Sequence, residues 1–178
     1  PFVDDWIENT NNRIFVPGLA PYQMTELNWS REDLLNQVNY TRTKLVQGQS
    51  YFRAENVLSN TKGILDSLNQ YYRKPAKLPA MKWLSDTAPE EPQDLRAEKT
   101  DTGLLQLIWQ EPEGADRVTY NVYKSDTDTL RIDDGDLLLA TGLRDTIFEF
   151  RPEIDDKAYY YYVTTSDSFN NESAICFP

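Results

Sequence analysis

The two halves of the chain space their apolar residues at different periods. From Phe2 to Tyr72 the spacing is mostly helical. Phe2, Val3, Trp6 and Ile7 share one face of a short helix that Asn9-Thr10-Asn11-Asn12 stops. Ser30 opens Ser-Arg-Glu-Asp, a capping-box-like start with Asp33 at the third helical position. Leu34, Leu35, Val38 and Leu45 then form one stripe on a helix of about four turns. Thr61 is the expected cap of a third helix with the stripe Ile64, Leu65, Leu68, Tyr71 and Tyr72, which Pro75 and Pro79 end. Two short apolar runs separate these helices. Arg13 to Leu19 shows no alternation, as in a strand covered on both faces, although Pro17 disfavours a central position. Gln49 to Ala54, centred on Tyr51 and Phe52, is the second. Strand-helix alternation over such connections predicts parallel βαβ packing. Two parallel strands leave open edges and do not make a stable sheet, so this half is expected to be part of something larger.

The second half switches to period two. Leu105, Leu107 and Trp109 alternate with Gln106, Ile108 and Gln110. Val118, Tyr120 and Val122 alternate with Thr119 and Asn121, Phe148 and Phe150 flank Glu149, and Tyr159, Tyr161 and Val163 alternate with Tyr160, Tyr162 and Thr164. Turn residues at Asp101-Thr102-Gly103, Pro112-Glu113-Gly114, Asp134-Gly135 and Asn170-Asn171 punctuate these runs. Seven short strands forming a β-sandwich are expected, with Trp109 in its core and Tyr159 making a corner hydrogen bond.

Charge follows the same division. Residues 1–88 carry ten basic and nine acidic side chains, whereas residues 89–178 carry eight and twenty. Two domains with a boundary at 88/89 are expected, joined through the proline-bearing stretch Ser85 to Pro92. A net charge of −11 argues against duplex nucleic acid as a partner. The absence of histidine excludes Ser-His-Asp and Cys-His catalysis, and a lone cysteine, Cys176, excludes an internal disulfide framework. No apolar run is long enough to span a membrane. The opening Pro-Phe-Val, with neither a starting Met nor a signal peptide, suggests a processed or excised piece. No cofactor is expected. The acidic group Asp126, Asp128, Asp133, Asp134 and Asp136 lacks EF-hand spacing and is expected to be a solvated loop, not a metal site. Asp4 and Asp5 lie in a helix and are expected on a solvated face.

Particular segments carry family resemblances. Phe2-Val3-Asp4-Asp5-Trp6, Phe15-Val16-Pro17-Gly18-Leu19-Ala20-Pro21-Tyr22, Gly48-Gln49-Ser50-Tyr51-Phe52-Arg53-Ala54 and the tail from Tyr71 to Trp83 resemble, in order and spacing, the end of the barrel in family-10-like glycosyl hydrolases of bacterial surface proteins. That resemblance implies a fold of mixed class: a partial α/β unit of three helices and two parallel strands, the last βα units of a (β/α)8 barrel. Pro89, Leu95, Leu107-x-Trp109-x-x-Pro112, Tyr120-x-Val122-Tyr123 and Tyr159-x-x-x-Val163 resemble a fibronectin type III domain over the second half. The combination implies the C-terminal portion of a secreted or surface-anchored, lipoprotein-like glycosyl hydrolase, in an extracellular, periplasmic or outer-surface location. The strands bearing its acid and base are absent, so no catalytic residue is assigned and the chain alone is expected to be inactive. Its partners would be carbohydrate, the missing barrel portion, and a second copy through exposed barrel strands. A non-enzymatic surface protein whose sandwich binds protein or glycan is the competing class.

If the two runs are barrel strands, Tyr22, Gln23, Arg53 and Glu55 lie at or just past their C-terminal ends, where barrel enzymes place substrate. Tyr22 and Trp29 suit stacking on a sugar ring; Gln23, Arg53 and Glu55 suit hydrogen bonds to its hydroxyls. The resembling family often carries a basic residue at the position of Gln23, and Ser and Lys at those of Arg53 and Glu55. Outward-facing Tyr160 and Tyr162 are expected to join Tyr123 in an aromatic patch on the sandwich, read first as an interface docking against the barrel half and second as a glycan-binding surface.

Overall fold

A computed structural model of the protein describes residues 2–44, 46–155 and 157–177. Leu45, expected on a helical stripe, lies outside the described residues. The chain divides into two compact units, residues 1–73 and 74–178. The stretch 74–88, expected to close the first half, lies in the second unit.

The first unit begins with α1 (Phe2–Glu8). Its apolar residues stay largely in solvent: Phe2 and Trp6 are exposed, Trp6 stacking on Phe15. Asp4 corrects the expectation of a solvated face, because it pairs with Lys44 at 2.7 Å and accepts the Tyr40 hydroxyl, tying α1 to α3 (Arg31–Thr43). The Ser30 capping box is present in full: the Asp33 amide donates to Ser30 Oγ at 3.2 Å and the Ser30 amide to Asp33 Oδ2 at 2.8 Å. Leu34 and Val38 bury the inner face of α3 against Leu19, Met24, Ile64 and Leu68. The last helix is α5 (Ile64–Tyr71). Its start corrects the expected Thr61 cap. Gly63 stands at the N-cap with no side-chain bond, and Asn60 Oδ1 reaches past it to accept the Leu65 amide at 2.9 Å. The chain then makes a 3-10 turn at Thr61–Gly63, with Asn60, Lys62 and Gly63 all at positive φ. The longer strands expected at 13–19 and 49–54 shrink to β1 (Gly18–Leu19) and β2 (Ser50–Tyr51), which do pair in parallel. Ile14 and Val16 stand partly in solvent, so nothing covers this run on both sides. Two further helices, α2 (Gln23–Glu26) and α4 (Ala54–Leu58), come directly after the strands.

The second unit is a β-sandwich of two three-stranded antiparallel sheets. One orders β3 (Gln93–Lys99), β4 (Leu105–Gln110) and β7 (Ile147–Phe150), with β4 central. The other orders β6 (Leu138–Leu143), β5 (Thr119–Ser125) and β8 (Tyr160–Ser166), with β5 central. A seventh strand is reduced to isolated bridges of Cys176 and Glu172 to β8. The core joins Leu95, Leu107, Trp109, Tyr120, Val122 and Val163, with Trp109 edge-on to Tyr120 at 5.3 Å. Among the described residues the Trp109 indole N–H finds no hydrogen-bond acceptor. Burying the ring contributes about 4–6 kcal/mol by area, against about 1–3 kcal/mol for an unmade hydrogen bond, so packing wins. Tyr159 is only half-buried, and its hydroxyl donates to the Asp155 carboxylate at 2.5 Å beneath the Lys124 ammonium.

The outer face of the β6-β5-β8 sheet carries the three tyrosines, and the cover over two of them comes from within the second unit. Tyr123 and Tyr162 are buried with Leu138, and Leu130, Ile132, Leu137 and Ile175 pack over them. Only Tyr160 of the three is exposed. The cover comes from the 126–137 connection. There Asp134 pairs with Arg131 at 2.8 Å and caps the 3-10 turn Gly135–Leu137, and Asp136 pairs with Lys74 at 2.7 Å. Among the described residues no group of three or more acids, Cys or His could hold a metal ion, and no helix is long and apolar enough to cross a membrane.

Candidate functional site

Parallel pairing of β1 with β2 brings two chain reversals together. The Ser50 amide donates to the Pro17 carbonyl at 3.0 Å and the Phe52 amide to the Leu19 carbonyl at 2.9 Å, so the strands run level and end level. The segments leaving the two strand ends are therefore juxtaposed. After β1, Pro21 and Tyr22 lead into α2, whose buried Met24 pins that short helix to the core. After β2, Phe52 and Arg53 lead into α4, across a cis Phe52–Arg53 peptide. Asn56 Nδ2 donates to Thr25 Oγ1 at 3.4 Å and joins the two short helices.

At this junction Tyr22 meets Phe52 edge to face, centroids 5.7 Å apart at 81°. The Arg53 guanidinium lies over both rings, 5.6 Å from the Tyr22 centroid and 5.9 Å from that of Phe52, within cation–π range. Glu26 on α2 holds it from the side, Nη2 to Oε1 3.1 Å. The Gln23 amide donates to the Tyr22 hydroxyl at 3.5 Å. Phe52 is two-thirds exposed and Arg53 is exposed, so the group faces solvent.

Of the five residues expected to touch substrate, Tyr22, Gln23 and Arg53 come together. Trp29 is packed instead against the core of the unit, and its carbonyl accepts the Lys62 ammonium at 2.7 Å. Glu55 stands exposed in the first turn of α4, and among the described residues its carboxylate bonds to none of this group. Phe52 and Glu26 are members that sequence reasoning does not single out, since the apolar run places Phe52 in the strand itself. The signal was spacing: Glu26 follows Tyr22 by four residues, about one helical turn, and Phe52 adjoins Arg53.

Beneath the junction the opposite side of β2 is held by a relay of hydroxyls and amides. Tyr51 and Tyr72 share a 2.6 Å hydrogen bond, the Tyr72 hydroxyl donates to Gln49 Oε1 at 2.8 Å, and Gln49 Nε2 donates to Thr41 Oγ1 at 3.1 Å. Burial and the Tyr72 bond push the Tyr51 phenol well above its ordinary value, so it stays neutral. The relay links β2 to α3 and to the residue that follows α5.

Chemically, the junction offers two aromatic faces, one guanidinium and one carboxamide. Aromatic faces stack on rings, and a guanidinium and a carboxamide donate hydrogen bonds to hydroxyl or carboxyl oxygens. Glycoside cleavage uses two carboxyl groups flanking the bond. Glu26 is the single carboxylate in this group, and it is engaged by Arg53.

No protein-family profile matches the chain. Among solved structures, an Fn3-like protein from Clostridium thermocellum is similar at 25% identity and a TM-score of 0.40, over 50% of this chain and 90% of that one. A cytokine receptor complex is similar at 16% identity and a TM-score of 0.39, over 50% and 53%. Over 185 aligned residues the chain is 30% identical to the glycosyl hydrolase YngK of Bacillus subtilis strain 168, a match that covers 96% of this chain and 35% of that protein. The chain thus spans about a third of the length of a glycosyl hydrolase to which it is similar.

Proposed function

We propose that this chain forms the C-terminal part of a glycosyl-hydrolase-like protein acting on carbohydrate. Its first unit would supply the last two βα units of a (β/α)8 barrel and its second an appended fibronectin type III-like module. The observation that carries the reading is the meeting of Tyr22, Gln23 and Arg53 at the C-terminal ends of two parallel strands, the end at which barrel enzymes hold substrate. The 30% identity to YngK supports the same class. Tyr22 and Phe52 then line one wall of the substrate cleft, Gln23 and Arg53 donate to sugar hydroxyls, and Glu26 orients Arg53. Trp29 supports the cleft from the core, and Glu55 stands at its rim. The acid and base come from barrel strands outside this chain, so the chain alone hydrolyses nothing. A site of action outside the cytoplasm, where polymeric glycans are met, belongs to the same proposal.

The test is a hydrolysis screen of the full-length gene product across polysaccharides and peptidoglycan. Release of reducing sugar is expected, with Arg53→Ala lowering kcat/KM about tenfold or more, in line with loss of a charge-assisted hydrogen bond. A folded full-length protein that releases sugar from none of these polymers, or an Arg53→Ala variant of unchanged kcat/KM, overturns the assignment.

A further inference from the structure

Glu172 lies in the turn after β8 with its side chain only 11% exposed, and it is the most heavily bonded carboxylate in the second unit among the described residues. One oxygen accepts the Tyr123 hydroxyl at 2.5 Å, the Thr164 hydroxyl at 2.5 Å and the Asn121 amide at 2.9 Å. The other accepts the Lys77 ammonium at 2.5 Å. Lys77 also donates to the Ile132 carbonyl at 2.6 Å and lies 5.4 Å from the Tyr123 ring centroid. One ion pair therefore joins the segment 74–86, the covering connection 126–137 and the turn after β8. Around it, the Met81 amide donates to the Phe169 carbonyl at 2.8 Å, Asn170 Nδ2 to the Pro79 carbonyl at 3.2 Å and Asn171 Nδ2 to the Ser85 carbonyl at 3.0 Å.

We propose that Lys77 and Glu172 form an acid-sensitive clasp that locks segment 74–86 and the 126–137 connection onto the outer face of the β6-β5-β8 sheet, and that protonation of Glu172 releases both while the sandwich core stays folded. Donor chemistry is the reason. Hydroxyls of Tyr123 and Thr164 can rotate to accept a proton from a carboxylic acid, but the Lys77 ammonium and the Asn121 amide N–H have no acceptor to offer. A neutral Glu172 thus leaves a half-buried ammonium without its counter-ion. The core on the other face is apolar, built on Leu107, Trp109, Val122 and Val163, and has no such dependence.

The direction of titration agrees. Burial pushes the Glu172 carboxyl up, but the donors from Lys77, Thr164, Tyr123 and Asn121 outweigh it and hold the group below the ordinary glutamate range. A depressed folded value means that the clasp is complete above that range and is lost as pH falls through the lower value. Of the other groups nearby, the Tyr123 phenol is pushed up by burial and stays protonated. Asp167 in the same turn is engaged by the Phe169 and Asn171 amides, each at 2.8 Å. Lys74 and Asp136 form an exposed pair between segment 74–86 and the covering connection.

Hydrogen exchange on the full chain between about pH 7 and about pH 3, corrected for intrinsic rates, tests this. Protection across residues 76–84 is expected to fall about tenfold or more at the acid end while peptides holding Trp109 and Val163 remain protected. Lys77→Met should leave the segment open already at neutral pH and remove its acid step, because it cuts the tie between the segment and the carboxylate. Glu172→Gln should leave the segment open at neutral pH and remove the acid step. Loss of protection in the segment and the core together, or a Lys77→Met midpoint equal to that of the wild type, overturns the proposal. The wild-type titration decides by itself if either variant fails to fold.

Discussion

Single side chains set the local structure through identifiable bonds, and each can be removed. Ser30 satisfies an orphan amide at the start of α3 and its backbone is satisfied in return, so Ser30→Ala is expected to cost about 1 kcal/mol in chemical denaturation. Asn60 performs the equivalent task for α5 by side-chain reach from a left-handed backbone. Asn60→Ala should therefore destabilise more than Thr61→Ala, whose hydroxyl shares an exposed bond with Ser59 at 3.0 Å. Trp109, 2% exposed and edge-on to Tyr120, fills the middle of the sandwich. Trp109→Ala is expected to cost about 3–5 kcal/mol through the cavity it leaves.

Elements in this protein are stabilised by what lies across them more than by their own length. A two-residue strand such as β1 exists because β2 and the core beneath it hold it in place; alone it would be a bend. Helix α1 is short and mostly exposed, and Asp4 is its tie to α3. The Lys44 and then the Tyr40 bonds hold the Asp4 carboxyl far below the ordinary carboxylate range. The tie is therefore complete at neutral pH and weakens only as pH falls through that depressed value. Faster hydrogen exchange of α1 is expected in Asp4→Asn at neutral pH. Strand β8 shows the same dependence on its neighbours. Tyr160 and Tyr162 share its outer face, yet Tyr160 is 46% exposed and Tyr162 3% because the 126–137 connection and Ile175 cover only one of them. Tyr162→Ala should cost about 3–5 kcal/mol and Tyr160→Ala under about 1 kcal/mol. Equal losses in urea unfolding would mean that the cover is not in place.

At the scale of the whole molecule, the second unit extends from Lys74 and carries eleven basic against twenty-one acidic side chains. Self-repulsion at that net charge of −10 is partly relieved by salt, since the Debye length is about 10 Å at 0.1 M. A chain of residues 74–178 is accordingly expected to melt higher as salt rises from about 10 mM to about 150 mM. It should also be more stable than residues 89–178 by about 1–3 kcal/mol, because the shorter chain leaves Glu172 buried without Lys77. Equal denaturation midpoints would show that residues 74–88 add nothing to the sandwich.

Sequence alone determined the features that depend on near neighbours. The change of period near residue 88, the Ser30 cap, the parallel relation of the two apolar runs, the inward register of Leu107, Trp109, Tyr120, Val122 and Val163, and three of the five candidate contact residues were all legible. Period, cap and turn chemistry act over a few residues, and the pattern writes them directly. Tertiary structure alone decided which faces are wet and where a unit ends. Alternation tells which residues share a face but not whether a distant loop covers that face. Thus Tyr162 and Tyr123 are buried by residues as far away as Ile132 and Ile175. Prolines and charge placed a boundary at 88/89, whereas Lys77, ninety-five residues from Glu172, carries the chain before it onto the sandwich. Such pairings depend on an ammonium and a carboxylate meeting in a half-buried place, and no local pattern encodes that distance.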